Sequence, residues 1–387
     1  MAPPRLLIPA LSASNFVVGM GAFVVIGLIE PAAVDFDVTP GTAGVLMTAY
    51  AIAYAILSPV LVSLTGRMGR RRVMSLGLGL FACAALLSAI APTLTLLAAA
   101  RVVAAAGAGM FTPIAAAVAA ALYPPERRAR VLAAVFFGLT LAQIMGVPAG
   151  AWVAYTFGWR WAFWLVVALA LPALAVIWFY VPRGLSFQPV TLNDLGRTLR
   201  QGRMMLAVLF TASFLGSIYI LYTYIAPLMS ETMGYSRDGV AVVLAIFGIG
   251  AVIGNIAGGI SADRIGWAKT LVTVCLLQIL LLPVFSFLPL GDVTLLAVIL
   301  IWSTAGWSFM AGQQMRLVGL AGAQAPVVLA LNAAAIYVGA AGGSAAGAWI
   351  IDQFGVSALG IAASLGCVGA LLHLIWSINR APAVKHA

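Results

Sequence analysis

Two charged side chains stand inside stretches that are otherwise apolar, and both could do chemistry. Arg101 lies about nine residues past Pro92, which at 1.5 Å per helical residue is roughly 13 Å into an apolar layer. A guanidinium at that depth costs at least about 2.5–3.5 kcal/mol unless a wet cavity or a partner receives it. The alternative is that its long side chain snorkels to the nearer interface. Glu30 precedes Pro31 and closes the first apolar stretch. Its carboxyl group can take up a proton, and in that role it would sit near Arg101. Otherwise it is an interfacial carboxylate on the outer rim.

Uncharged polar and aromatic groups accompany this pair. Asn15, Gln143, Asn255, Gln313, Gln314 and Asn332 are amides inside apolar stretches, and Tyr50, Tyr54, Tyr222, Tyr224, Trp302, Trp307 and Tyr337 offer aromatic walls. Each could glue helices together or mark an interface belt as readily as touch a ligand. Together, amides and aromatics with almost no charge suit a neutral or lipophilic small molecule. His373 reads as structural. Cys83, Cys275 and Cys367 all lie in apolar stretches with no metal-site spacing, so neither a metal nor a cofactor is expected. No phosphate-binding G-x-x-x-x-G-K-[ST] stretch occurs, which excludes an ATP-driven pump, and H-E-x-x-H is absent. The only histidines are His373 and His386, too few to read as the base of a hydrolase. No filter-like motif points to an ion channel.

The elements that position these groups must be membrane helices. Hydrophobic residues make up 64% of the 387 and charged residues 8%, against about 25% charged in soluble domains. Lipid is the only solvent that suits such a surface, and at about 20 residues per span the chain holds about twelve spans. They are read roughly as 7–30, 42–64, 73–91, 94–122, 130–156, 159–181, 204–229, 239–261, 268–289, 293–315, 325–351 and 356–378. The stretch Leu6 to Ile29 is too long for a signal-peptide core, so it is the first span. With the N-terminus in the cytoplasm, 17 of the 20 basic residues fall on that side, including Arg5, Arg67, Arg70, Arg71, Arg72, Arg183, Arg203, Arg264, Arg316, Arg380 and Lys385. Arg160 and Arg237 fall outside. The net charge of +10 is therefore a topology signal with both termini cytoplasmic, not a nucleic-acid surface.

The chain also matches itself at an offset of 197 residues. Gly146-Val-Pro-Ala-Gly-Ala-Trp-Val-Ala-Tyr-Thr-Phe-Gly158 lies over Gly343-Ser-Ala-Ala-Gly-Ala-Trp-Ile-Ile-Asp-Gln-Phe-Gly355 with seven of thirteen positions identical. The same offset sets Arg67 on Arg264 and Gly69 on Gly266. It spans an even number of proposed helices, so both copies point the same way. The chain divides on this reading into a half at 1–182, a polar cytoplasmic linker at 183–203 with Pro189, and a half at 204–387. Two parallel six-helix halves are the architecture of a large class of secondary transporters.

Several of these residues resemble the major facilitator superfamily, in particular its twelve-helix drug:proton antiporter branch of bacterial efflux proteins. After its second helix that family carries G-x-x-x-D-R-x-G-R-R. Here Val62-Ser-Leu-Thr-Gly66-Arg67-Met-Gly69-Arg70-Arg71 keeps the basic end, while the second copy, Gly259-Ile-Ser-Ala-Asp263-Arg264, has both the glycine and the acid. The resemblance implies that this loop braces one conformational state, although Gly66 cannot supply the anion. Arg101 with Gly107 resembles the family's R-x-x-x-x-x-G stretch and implies an arginine linked to proton transfer. Gly138, Gly146, Pro148 and Gly150 resemble the glycine-rich antiporter stretch, with Val147 interrupting its Gly-Pro pair. Tyr222-Thr-Tyr-Ile-Ala-Pro227 is similar to the efflux branch too. The small-residue stretches Gly138–Gly150 and Gly339–Gly347 let backbones approach closely, and Pro148 implies a local kink. The resemblance implies an all-α fold of twelve helices in two pseudo-symmetric halves. The implied molecule is a monomer in a bacterial inner membrane that exports a small neutral or lipophilic solute by proton antiport. A facilitator or a proton-symport importer of the same fold is the competing reading.

Overall fold

The computed structural model describes residues 6–123, 125–185, 192–321 and 325–379. Arg5, Pro189, Arg380, Lys385, His386 and the centre of the 183–203 linker lie outside the described residues. Among the described residues twelve helices are long and apolar enough to cross a membrane: Leu7–Asp35, Pro40–Leu64, Arg70–Ala89, Leu94–Ala119, Ala134–Phe157, Trp159–Tyr180, Gly202–Met233, Arg237–Ile265, Trp267–Ser286, Asp292–Ala321, Val327–Phe354 and Val356–Asn379. In chain order these are spans one to twelve. No strand forms among the described residues, as expected where every backbone N–H and C=O must find its partner within the segment.

Local chemistry sets the span ends. Thr39, just before span two, accepts a hydrogen bond from the backbone N–H of Thr42, with Pro40 at the first helical turn. Thr93 caps span four by accepting from the N–H of Leu96. Both are N-caps that satisfy an otherwise orphan donor. Gly158, between spans five and six, has φ of 98°, and Gly355, between spans eleven and twelve, has φ of 79°. Only glycine enters that region without strain, so the self-match at this offset extends to a backbone conformation.

Most span ends differ from the sequence reading by a few residues, and two of the differences bear on charged side chains. Span one does not stop at Glu30: it continues through Pro31 to Asp35, because a proline within a span is tolerated where neighbouring helices satisfy the freed backbone groups. Span ten does not stop before Arg316. It runs to Ala321, since Leu317 is fully buried and carries the apolar face onward, and this takes Arg316 into the packed interior rather than a loop.

The chain forms two compact units, one of Met1–Val190 with Thr223–Ile249 and one of Thr191–Tyr222 with Gly250–Ala387. In the first unit, span one packs on spans five and six, and span three on spans four and six. In the second, span seven packs on eleven and twelve, and span nine on ten and twelve. The pairing is the same six helices later. Segment 223–249 belongs to the first unit because its side chains lodge there: a Cβ on Gly44 would strike the Tyr224 hydroxyl, and one on Gly248 would strike the Ile144 backbone.

Candidate functional site

Span one is built of two helical segments, Leu7–Phe23 and Val25–Asp35. The last carbonyls of a helical segment lack intrahelical donors. Arg101 reaches across from span four and supplies them: its Nη1 donates to the Gly21 carbonyl at 2.6 Å and its Nη2 to the Ala22 carbonyl at 2.7 Å. A cation at the C-terminal end of a helix also meets a favourable dipole. Beneath the guanidinium lies the Tyr50 ring, 4.5 Å from the Arg101 Cζ, and Tyr50 stacks in turn on Tyr54 at 6.2 Å. The arginine is 1% exposed, so it does not snorkel.

Glu30 is not its partner. One carboxylate oxygen accepts from the Tyr155 hydroxyl and the other from Ser230, both at 2.6 Å. The expected Arg101–Glu30 ion pair does not form: the two terminal nitrogens of the arginine meet backbone carbonyls, its Nε has no hydrogen-bond partner, and the carboxylate is taken by two hydroxyls. Glu30 thereby joins spans one, five and seven within the first unit. Close by in sequence, Trp152 donates to Asp238 at 3.1 Å and Arg237 to Thr156 at 3.1 Å. Asp35, placed outside the first span on the sequence reading, ends it in an ion pair with Arg160 at 2.7 Å.

The amides divide by role. Asn15 donates to the Val135 carbonyl and accepts from Thr112, fastening spans one, five and four. In the second unit Asn332 accepts from Thr211, and Gln313 donates to Thr211 and to the Ala207 carbonyl, fastening spans eleven, seven and ten. Val135 and Asn332 are 197 residues apart, so the two clasps share one equivalent position and join equivalent spans through otherwise different residues. Gln143 is buried within a π-helical turn, Ala142–Gly146. Asn255 donates to the Ala251 carbonyl of its own helix. Gln314 is exposed, while Trp307 and Tyr337 are half-buried. Tyr222 meets Trp302 edge-on at 6.4 Å, and Trp302 meets Phe285 at 5.0 Å. Tyr224 lies against Gly44.

The small residues carry close helix packing. A Cβ on Gly138 would fall on the Ser12 carbonyl and one on Gly150 on the Val24 side chain, while Gly146 abuts Met20. At equivalent positions Gly19 faces Ala142 and Gly216 faces Gly339, and Gly343 abuts the Gly216 carbonyl. Trp152 lies edge-on to Phe157 at 6.0 Å, and Trp349 to Phe354 at 5.8 Å. The π turn answers Pro148. The Val147 N–H reaches back five residues to the Ala142 carbonyl, and this shifts the register where the proline ring would otherwise meet the preceding turn.

The loop motif is less tied. Gly69 begins span three, Arg70 is buried with its N–H on the Leu185 carbonyl, and Arg71 covers the Trp178 ring at 4.5 Å. Arg67, Asp263 and Arg264 are exposed and form no ion pair among the described residues, and nothing packs within 4 Å of a Cβ on Gly259. Sequence reasoning missed Thr112, Tyr155, Thr211 and Ser230, which are hydroxyls with no pattern of their own. It also missed the burial of Arg316, for which the apolar continuation Leu317–Val318 was the available signal.

This arrangement can be set beside known proteins. The family model described as Major Facilitator Superfamily matches residues 11–325. The chain belongs to the major facilitator superfamily. It is 32% identical over 379 residues to an uncharacterised MFS-type transporter of Bacillus subtilis, YtbD, covering 97% of this chain and 95% of that protein. It is 30% identical over 375 residues to the inner membrane transport protein YdhP of Escherichia coli, covering 96% of each. Among solved structures, a D-xylose-proton symporter superposes with a TM-score of 0.77 at 17% identity over 98% of each chain, which is a likeness of fold. The protein is thus a multi-pass membrane transporter with the secondary-transporter fold of its family.

Proposed function

We propose that this transporter is a proton-coupled exporter of a small neutral or lipophilic solute, working by alternating access in a bacterial inner membrane with both termini cytoplasmic. The observation that carries the reading is Arg101: a buried cation clamped on the carbonyls at the interruption of span one, with an aromatic floor. A guanidinium desolvated to this degree ties the geometry of that interruption to any change in local charge. Glu30 lies further along the same span, half-buried, acting as acceptor for two hydroxyls. A protonated carboxyl has one acceptor position fewer and gains a donor, so proton uptake there would rearrange Tyr155 and Ser230. A one-unit difference in carboxylate pKa between two conformations is worth about 1.4 kcal/mol, enough to shift their ratio tenfold. The export direction and lipophilic class rest on the resemblance to the antiporter branch and on the uncharged, aromatic character of Tyr50, Tyr54, Tyr222, Trp302 and Tyr337.

Reconstituted proteoliposomes with and without an imposed pH gradient test this. Arg101→Ala should abolish gradient-driven transport while leaving the protein folded. Glu30→Gln should reduce the response to the gradient more than it weakens ligand binding. Normal gradient-driven transport by Arg101→Ala would overturn the role given to the arginine, and an unaltered gradient response in Glu30→Gln would place the proton elsewhere. Transport of the same solute that ignores the gradient in the wild type would favour a facilitator.

A further inference from the structure

His373 stands in span twelve, outside the residues given to transport. It is half-buried, and both of its ring nitrogens are engaged. Nε2 lies 3.0 Å from the Leu206 carbonyl of span seven. A carbonyl can only accept, so this nitrogen carries the hydrogen. Nδ1 of the neutral ring is then an acceptor, and it lies 2.7 Å from the Ser213 hydroxyl. That hydroxyl has a second acceptor within reach, the Leu209 carbonyl of its own helix at 3.2 Å. Its one hydrogen has to serve both.

This arrangement accepts a proton with no hydrogen bond lost. A proton added to the Nδ1 lone pair makes the ring a donor to the Ser213 oxygen, and the Ser213 hydrogen turns fully to the Leu209 carbonyl. The bond from the cationic ring is charge-assisted and therefore stronger than the one it replaces. Imidazole is also the side chain whose ordinary titration lies nearest neutral pH. The ring is close to the end of the membrane-spanning layer: Leu206 is four residues past Gly202, the start of span seven, or about 6 Å. A cavity of about 400 Å³ at that end is lined by Ala207, next to Leu206, and by Ser377, one turn from His373.

Arg316 of span ten gives the added charge a consequence. It is 2% exposed and donates from Nη2 to the Ser377 hydroxyl at 2.6 Å. The Phe210 ring stands edge-on to His373 at 6.3 Å and 5.9 Å from the Arg316 Cζ, so one aromatic ring touches both. Arg316 is the charged side chain that acts on the imidazole. Span seven otherwise presents Ser213 and Phe210, and span twelve presents Trp376 and Ser377. Span nine sets Trp267 against Arg316, and its Lys269 is exposed. A second positive charge beside a desolvated guanidinium is repelled strongly where water is scarce. Protonation of the ring thus loosens the hold of Arg316 on Ser377.

We propose that His373 is a proton-binding site of the second unit, whose occupancy adjusts the packing of spans seven, ten and twelve through Arg316. The site is separate from Arg101 and Glu30 and does not depend on the transport reading.

Histidine NMR tests it, on the full-length protein without a histidine tag and carrying His386→Ala, which leaves His373 as the only imidazole. At pH 8 the ring nitrogen shifts should report hydrogen on Nε2, and between pH 8 and 5 the ring should take up a proton reversibly. At pH 6, Ser213→Ala should lower the ratio of protonated to neutral ring at least threefold, because the charge-assisted bond is lost. Arg316→Gln should raise that ratio at least threefold, whereas Arg316→Lys, which keeps the charge, should stay near the wild type. Ser213→Ala removes only a half-buried hydroxyl, so it decides the question even where Arg316→Gln fails to fold. Hydrogen on Nδ1 at pH 8, a ring that does not titrate between pH 8 and 5, or unchanged titration in Ser213→Ala or in folded Arg316→Gln would overturn the proposal.

Discussion

At the residue scale, Arg101 shows why a cation can persist in an apolar helix. Its two terminal nitrogens meet two consecutive carbonyls at 2.6 and 2.7 Å, a fork geometry that only a planar guanidinium offers. Arg101→Lys therefore keeps the charge and loses the fork. We expect it to transport at least tenfold more slowly than the wild type in the proteoliposome assay. Recovery to near wild-type rate would mean that charge alone suffices. Glu30 is held differently, since its two acceptor oxygens are each matched to one hydroxyl from another span. Its chemistry was visible in the sequence as a lone acid at the end of an apolar stretch. Its partners were not, because Tyr155 and Ser230 lie 125 and 200 residues away.

At the element scale, the paired helices owe their contact to residues with almost no side chain. Gly138 has no room for a methyl group against the Ser12 carbonyl, whereas Gly342 has nothing within 4 Å. Overpacking a tight contact costs typically about 1–3 kcal/mol. Gly138→Ala should lower the apparent unfolding temperature measurably in detergent, and Gly342→Ala should leave it unchanged; equal effects would mean that spans one and five approach less tightly than the Gly138 contact requires. The amide clasps act on the same pairs. Interhelical hydrogen bonds in membranes are worth about 0.6–2 kcal/mol each, so Thr112→Val should cost an amount of that order, read as a drop in resistance to denaturing detergent.

At the scale of the whole molecule, the segment Thr223–Ile249 clusters with the first unit although the self-match assigns it to the second half. Trp152 with Asp238, Arg237 with Thr156, and Ser230 with Glu30 are hydrogen bonds of that attachment. At exposed positions such as Asp238 a charged contact contributes about 0.2–1 kcal/mol. Asp238→Ala should accordingly speed amide exchange in residues 223–249 by about two- to fivefold while leaving spans three and four unchanged. Uniform exchange throughout the protein would show that the contact carries no local stability. The proposed topology has its own check. Reporter fusions within the Arg183–Arg203 linker and after residue 379 should both behave as cytoplasmic, and a periplasmic signal from either would overturn it.

The amino-acid sequence by itself determined the solvent, the number of spans and the repeat, because these depend on composition and on patterns that run along the chain. An apolar stretch of about 20 residues has to cross the bilayer whatever packs against it, and matching Gly146 with Gly343 requires only counting. The lone charges Arg101 and Glu30 were equally legible, since a rare residue type in an apolar stretch is conspicuous. Tertiary structure alone decided what each one meets. A hydrogen bond depends on atoms about 3 Å apart, and the partners of Arg101, Glu30, Asn15 and Arg316 come from spans 61 to 200 residues distant. It also decided that span ten runs past Arg316. Helix ends are set by packing and capping as well as by hydropathy, so an arginine that reads as the start of a loop can lie buried against Trp267 and Ser377.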